Sequence, residues 1–501
     1  MTSARNHQRP LNGSKLLFWS LLFLILLGTS CELFKPISQS DNNPTTDTRQ
    51  ERQQDELEPI QARRVYDAKT GTWVIVENAP TEPMDTIVWK DIPSSLEPPI
   101  YSTSAPIVGP TGNPVRPIGT AEGNSQLLSS YNVAVVLPFL SDRYNRMDKQ
   151  ISPNSEWALH YYSGMEMAYE ELSAQGVKLN VSLLDSKASP QVVSNLVRTS
   201  PQIENAHLII GPYLSANARL LADKVRTAGN VLVSPHSAAS NVTADNPNYI
   251  QVNPTLMTHC QAIMQHATKR YARQQMILVA MDRPEEAARF AYFQDEYQRL
   301  NGMTDTASIR QLLIDTTKLD MQSIDLKPYL SIDRETVFIV PSWASEVFIY
   351  NLLRKIDLDR NEYQRVVVYG MPQWMNYERI DFDYYERLNV HVSSSVFIDD
   401  FNPDVRRFKR QFYERFGAIP NPEAYVGYDV ARYFGSMLHK HGTRFQPQLV
   451  DNPRELLHTS FQFEPVIRPS ASAFEQGRVE RWENRYVHIL KFQDFRFSRA
   501  D

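Results

Sequence analysis

From Tyr131 onward, short apolar runs alternate with stretches of helical period. Val133-Ala134-Val135-Val136-Leu137 ends at Pro138 and reads as a strand buried on both faces. Residues 157–174 put Trp157, Tyr161, Met165, Ala168 and Leu172 on one face of an amphipathic helix. Leu179–Leu184, His207–Ile210, Val231–Val233 and Tyr249–Val252 are further strand candidates, with helices at Pro190–Arg198 and Ala216–Ala228. After Asn253-Pro254 the rhythm restarts with helix 256–272, strand Met276–Ala280, helix 284–300 and strand Ile309–Ile314. Strands Val337–Val340, Val366–Tyr369 and Val390–Phe397 follow. Such alternation predicts an α/β fold of parallel sheets covered on both faces. The restart predicts two doubly wound lobes: lobe I from 131–254, lobe II from 255–400, each completed by part of 400–495. Ligands of such lobes bind at the carboxyl ends of the strands.

Upstream of residue 131 the pattern changes. Residues 36–60 are rich in Ser, Asn, Thr, Asp, Gln and Glu and poor in apolar side chains. They cannot offset the entropy of ordering and are expected to be disordered. Pro80, Pro83, Pro93, Pro98, Pro99, Pro106, Pro110, Pro114 and Pro117 favour stiff, extended chain after them. Residues 31–130 therefore read as a disordered, Pro-rich tether. A flexible coil of that length spans roughly 50–60 Å, and the prolines lengthen it. One segment inside it is not linker-like: 64–77 reads as strand, turn, strand, with Gly71 supplying the turn. Ile87-Val88-Trp89 is a further short strand candidate. Isolated hairpins are marginal in water. Trp73 and Trp89 are thus expected to bury against the body of the same chain, or against an envelope partner protein docking on residues 60–92.

Near the N-terminus, Arg5, Arg9 and Lys15 precede the largely apolar run Leu16 to Leu27, and Gly28-Thr29-Ser30 lead into Cys31. This order describes a secretory signal, whose apolar helix of about 18 Å falls short of the ~30 Å hydrocarbon core. The small residues before the cysteine resemble the bacterial lipoprotein signal, with Gly28 standing where a larger aliphatic residue is commoner. The resemblance implies removal of residues 1–30, lipidation of Cys31 with acyl chains such as palmitate, and a membrane anchor. Glu32, rather than Asp, implies the periplasmic face of the outer membrane. An ordinary signal peptide or an uncleaved anchor are the alternatives.

Removing 30 of 501 residues leaves 471, enough for two or three domains. At 42% hydrophobic and 11% aromatic, the chain has the means to bury a sizeable core. A net charge of −5 offers no electrostatic case for nucleic acid. Cys31 and Cys260 are the two cysteines. With Cys31 lipidated, Cys260 has no intramolecular partner and reads as a buried small apolar residue.

Two stretches carry a family resemblance: Ile209-Ile210-Gly211-Pro212-Tyr213-Leu214-Ser215, and Val231-Leu232-Val233-Ser234-Pro235-His236-Ser237-Ala238. With Pro422-Glu423-Ala424-Tyr425-Val426-Gly427-Tyr428-Asp429 and the terminal Glu483-Asn484-Arg485-Tyr486-Val487-His488-Ile489, residues 130–495 resemble the type 1 periplasmic binding proteins, in particular the leucine/isoleucine/valine-binding group. The resemblance implies two lobes joined by a hinge, closing on a small-molecule ligand. It places Ser215 on a substrate carboxylate and His236 and Ser237 at the cleft. In lobe II it points to Ser342 and Trp343, after Val340, and to Gln373, in the turn Tyr369-Gly370-Met371-Pro372-Gln373. The family's threonine for the α-amino group falls at Ala238, and its carboxylate for the ammonium falls at uncharged Gln373. A desolvated ammonium without a carboxylate is costly by several kcal/mol, so a free α-amino acid fits poorly unless Glu346 or Asp282 supplies the charge.

The enzyme readings fail on spacing. His236 beside Ser237 does not set a base on a nucleophile, and no G-x-S-x-G elbow occurs. His439-Lys440-His441 reads as a solvated helix end, Asp399-Asp400 as a helix start, and no phosphate-binding or dinucleotide glycine motif exists. No enzyme activity, cofactor or metal is expected. Two functions remain: a solute-binding lipoprotein that captures a small polar ligand between its lobes, serving an ABC-type transporter, or a ligand-free envelope scaffold. Some outer-membrane lipoproteins that activate peptidoglycan synthases resemble this fold; the long tether, the hairpin and the lost ammonium site fit that alternative.

Overall fold

The computed structural model describes residues 62–67, 72–77, 125–147, 150–302, 307–316, 321–468 and 477–500. The signal segment, Cys31, Ile87–Trp89 and most of the tether lie outside them. By internal contacts the chain divides into residues 1–80 and residues 81–501. In the first unit, strands Ala62–Asp67 and Thr72–Glu77 pair antiparallel, from Ala62 opposite Glu77 to Asp67 opposite Thr72.

The second unit holds two seven-stranded sheets. In lobe I the spatial order is Phe463–Arg468, Arg478–Asn484, Tyr249–Gln251, Val231–Ser234, Leu208–Ile210, Tyr131–Leu137 and Leu179–Asp185. All neighbours run parallel except the first pair. In lobe II it is Arg496–Arg499, His488–Gln493, Val390–Ser394, Val366–Gly370, Thr336–Ile339, Met276–Met281 and Arg310–Ile314. There the last five are parallel and the first two antiparallel. The expected pair of α/β lobes is present.

Burial explains the parallel sheets. Side chains of a strand alternate between faces, and in Tyr131–Leu137 both faces are covered. Val133, Val135 and Leu137 join the core beneath helices Glu156–Ala174 and Pro422–His441. Ala134 and Val136 join a second core with Val193, Ala218 and Leu221 of helices Pro190–Thr199 and Ser215–Ala228. Local signals set the helix ends: Asn421 accepts from Ala424 N, and Pro422 occupies the first turn, where its missing N–H costs nothing.

One predicted element is corrected. The single helix expected over 284–300 is two, Pro284–Ala287 and Phe290–Asn301. The buried side chains of Glu286 and Arg289 bond to Met281 N and Pro341 O, and the helix breaks where they turn inward. Helix 256–272 likewise ends earlier, at Thr268.

The chain crosses between lobes three times, at 252–255, 395–402 and 485–487. Glu483, fully buried at the end of its lobe I strand, ties two crossings together. Its Oε1 accepts from Thr255 N (3.1 Å), Thr255 Oγ1 and Thr258 Oγ1 (both 2.7 Å), and Arg481 pairs with Oε2 at 3.0 Å. His458 ties in the third: its N–H and Nδ1 meet Asp429, and its carbonyl accepts from Phe397 N and meets His488 Nε2, just past 485–487. Among the described residues no helix is long and apolar enough to cross a membrane.

Candidate functional site

Both lobes carry their predicted site residues on turns at the carboxyl ends of parallel strands. In lobe I, the turn after Leu208–Ile210 needs Gly211: its φ is +109°, and a Cβ would run into the Val136 carbonyl. The turn delivers Ser215 to the start of its helix, where Ser215 Oγ lies 2.8 Å from Ser237 Oγ. His236, 6% exposed, is enclosed by rings. Trp157, Tyr161 and Tyr213 lie 5.1, 5.0 and 5.0 Å from it, centroid to centroid. Its Nε2 meets Glu423 Oε2 at 3.2 Å. Burial, then the Glu423 carboxylate, push the Tyr161 phenol well above its ordinary range.

In lobe II, the buried Ser342 donates to Glu286, which also pairs with Arg289 at 3.5 Å. Burial raises the Glu286 carboxyl, and Ser342 and Arg289 offset part of that rise. The Arg289 guanidinium lies 3.6 Å from the Trp343 ring centre, a cation–π stack on one face of the ring. Trp374 Nε1 donates to Ser342 O, and Tyr377 donates to Trp343 O. Gln373 is half-buried on the neighbouring turn, and its Oε1 has no partner among the described residues. Ser215, His236 and Ser237 thus stand together in lobe I, and Ser342 and Trp343 together in lobe II.

A cavity of about 90 Å³ lies at the crossovers. Val252, Asn253, Ser395 and Val396 line it from two of the crossings, Asn484 from the strand end that leads into the third, and His236, Glu423, Val426 and Thr459 from lobe I. Of the predicted site residues only His236 reaches it. A larger cavity of about 510 Å³ in lobe I is walled mainly by Phe139, Leu140, Tyr144, Ile151, Tyr162 and Leu183. Among the described residues no group of three or more His, Cys, Asp or Glu side chains is arranged to hold a metal.

Sequence reasoning missed Glu423, Asn253, Thr459 and the rings around His236. Trp157 and Tyr161 were legible only as the apolar face of a helix, and Glu423 only as part of a helix mark. The signal that joins them is glycine spacing. Gly164 and Gly427 sit where a Cβ would strike the Ala424 and Tyr161 carbonyls, so their helices touch backbone to backbone.

No family model matches this chain, and no curated protein matches it. Solved structures do. A protein from Rhodospirillum rubrum assigned to a branched-chain amino acid ABC transporter is 12% identical, covers 74% of this chain and 100% of its own, and superposes with a TM-score of 0.53. An ABC transporter substrate-binding protein from Desulfitobacterium hafniense in complex with Leu is 17% identical over 74% of this chain and 99% of its own, with a TM-score of 0.46. A solute-binding protein from R. palustris in complex with benzoate is 12% identical over 74% and 95%, with a TM-score of 0.41. At such identities the likeness is one of fold. Two mixed, mainly parallel sheets with helices on both faces, joined by three crossings, are the two-lobed type 1 periplasmic binding fold.

Proposed function

We propose that this chain is an extracytoplasmic solute-binding protein whose lobes close on a small polar ligand, serving an ABC-type transporter. The lipid on Cys31 anchors it to the periplasmic face of the outer membrane, and residues 31–130 are the tether. The observation that carries the reading is the paired placement of strand-end turns, Ser215, His236 and Ser237 in one lobe and Ser342, Trp343 and Gln373 in the other, on lobes linked by three crossings. Thermal melting of the purified chain against a broad set of polar metabolites tests it. A ligand raises the melting temperature by mass action, and a screen in which no solute shifts it overturns the reading.

A second reading, the ligand-free envelope scaffold, is favoured by one observation. The hydroxyls assigned to ligand are engaged within the protein, Ser237 with Ser215 and Ser342 with Glu286. On this reading deletion of residues 60–92 abolishes co-purification of an envelope partner, and unchanged co-purification rules it out.

A further inference from the structure

The larger cavity of lobe I, about 510 Å³, lies at the carboxyl ends of strands Tyr131–Leu137 and Leu179–Asp185. Leu159 and Tyr162 wall it from helix Glu156–Ala174, and at about 3.6 residues per turn they lie on the far side of that helix from Trp157 and Tyr161. It is therefore separate from the rings around His236. Its rim leaves large apolar side chains in water: Tyr144, Ile151 and Leu183 are 46%, 50% and 45% exposed. Leu183 stands on the outermost strand of its sheet, an edge that folds commonly cover.

The polar groups of the wall serve one another. Asp185 Oδ1 accepts from Leu140 N (3.2 Å) and Lys187 N (2.9 Å), and its Oδ2 from Ser141 N (2.8 Å) and Ser141 Oγ (2.7 Å). Ser155 Oγ donates to Ser152 O at 2.9 Å. These bonds pin the backbone on both sides of the carboxylate. Leu140 (φ +49°), Lys187 (φ +49°) and Ala188 (φ +52°) are held left-handed although none is glycine. The cavity is thus preformed and apolar, and Asp185, its one charged lining residue, is fully engaged. A charged occupant would lose its hydration with nothing to offset the loss.

The sequence upstream of Ser125 supplies a segment of matching chemistry. Residues 98–115 contain no charged side chain, and within them Ala105-Pro106-Ile107-Val108-Gly109-Pro110 has no polar one. Proline-rich segments seat in grooves lined by aromatic rings, because their extended form is set before binding. Phe139, Tyr144 and Tyr162 are the rings here. Length selects this stretch among the prolines. Ser125 and Gln126 are tied to His441 and Thr443, six and five residues before strand Tyr131–Leu137 begins. The cavity lies at the other end of that strand, about 20–25 Å away at about 3.3 Å per residue. Pro117, eight residues from Ser125, reaches about 25 Å at about 3.1 Å per residue and leaves no slack. Pro110, fifteen residues away, reaches about 46 Å. Pro98 and Pro99 also reach, at a higher entropy of loop closure.

We propose that the lobe I cavity is the seat of the chain's own segment 105–110, bound within one molecule, with Ile107 and Val108 supplying the apolar side chains. The contact does not depend on a cleft ligand. It shortens the free tether to residues 31–104 and holds the root of the tether against lobe I.

Thermolysin, which cuts before large aliphatic residues, tests the contact on the full chain, with the products read by mass. Cleavage before Ile107 and Val108 should be at least tenfold slower in the parent than in Leu183→Glu, while cleavage before Leu57, in the polar stretch 36–60, is the same in both. Ile151→Glu, at an equally exposed position, should act like Leu183→Glu and decides the matter if that variant fails to fold. A synthetic peptide of residues 102–113 in excess should expose the segment of the parent chain as the variants do. Equal cleavage in the parent and both variants overturns the proposal, as does a peptide without effect. Protection that falls on dilution assigns the cavity to a segment of a second copy and overturns the contact within one molecule. Protection unchanged over a hundredfold dilution upholds it.

Discussion

Replacing Gly164 or Gly427 by alanine tests the contact on which the lobe I site rests. These glycines lie on helices Glu156–Ala174 and Pro422–His441, and a Cβ at either would sit well inside 3.0 Å of a backbone carbonyl of the other helix. The obstacle is main chain in a close-packed core, so no side chain can swing aside and the helices must separate by roughly an ångström. A gap of that size forfeits about a quarter to a half of each contact's dispersion energy, across a seam that includes Tyr161, Met165, Ala168, Tyr428 and Ala431. Overpacking typically costs about 1–3 kcal/mol, and a clash with main chain at this distance belongs at or above the top of that range, while alanine's better helix propensity returns about 1 kcal/mol. Each variant should therefore lose about 2 kcal/mol or more. The site moves with the seam, because one helix carries Trp157 and Tyr161 and the other Glu423. Urea unfolding is the assay: the midpoint falls at unchanged slope. The double variant should fall short of the sum of the two losses by about 0.5 kcal/mol or more, since helices already separated admit the second methyl more cheaply. A single variant as stable as the parent, or more stable, refutes the reasoning.

Two further outcomes follow from buried groups. Burial alone would raise the Glu483 carboxyl, but Arg485, Arg481, Thr258 and Thr255 outweigh it and hold the pKa at about 2, against an ordinary 4.5. A depressed pKa stabilises the fold above the unfolded value, and the contribution fades as pH falls from 4.5 toward 2. It amounts to about 3 kcal/mol, so Glu483→Gln should flatten this part of the acid-unfolding profile, and an unchanged slope contradicts the hub. The Cys260 thiol is buried and pushed up by that burial. It should react with a thiol reagent only as fast as the protein unfolds, and prompt labelling of the native chain contradicts its placement.

The strands were legible because they are buried on both sides, so nearly every residue of Met276–Met281 or Val366–Gly370 is apolar or small. Periodicity failed at 284–300 for a definite reason. It counts apolar side chains, and there the inward-facing residues are Glu286 and Arg289, a buried pair the pattern reads as solvated. The helix marked by Pro422 to Asp429 was legible, but the uses of its residues were not. Gly427 permits contact with Tyr161, Tyr428 donates to Glu171, and Asp429 holds His458. Each of these partners is more than 25 residues away, and only the folded chain brings them together.

Charge balance explains why the ammonium question resolves differently in the structure than in the sequence. The expected carboxylate for lobe II was Glu346 or Asp282, near the turns of Trp343 and Gln373. Glu346 instead accepts from the backbone N–H of Arg379 at 2.6 Å. The buried carboxylate of that lobe is Glu286, which Arg289 already balances while stacking on Trp343. An added cation there would face a guanidinium across a low-dielectric space, where like charges repel strongly. Glu423 stands in a different balance, since its neighbour across 3.2 Å is an imidazole and the cavity it lines contains no lysine or arginine.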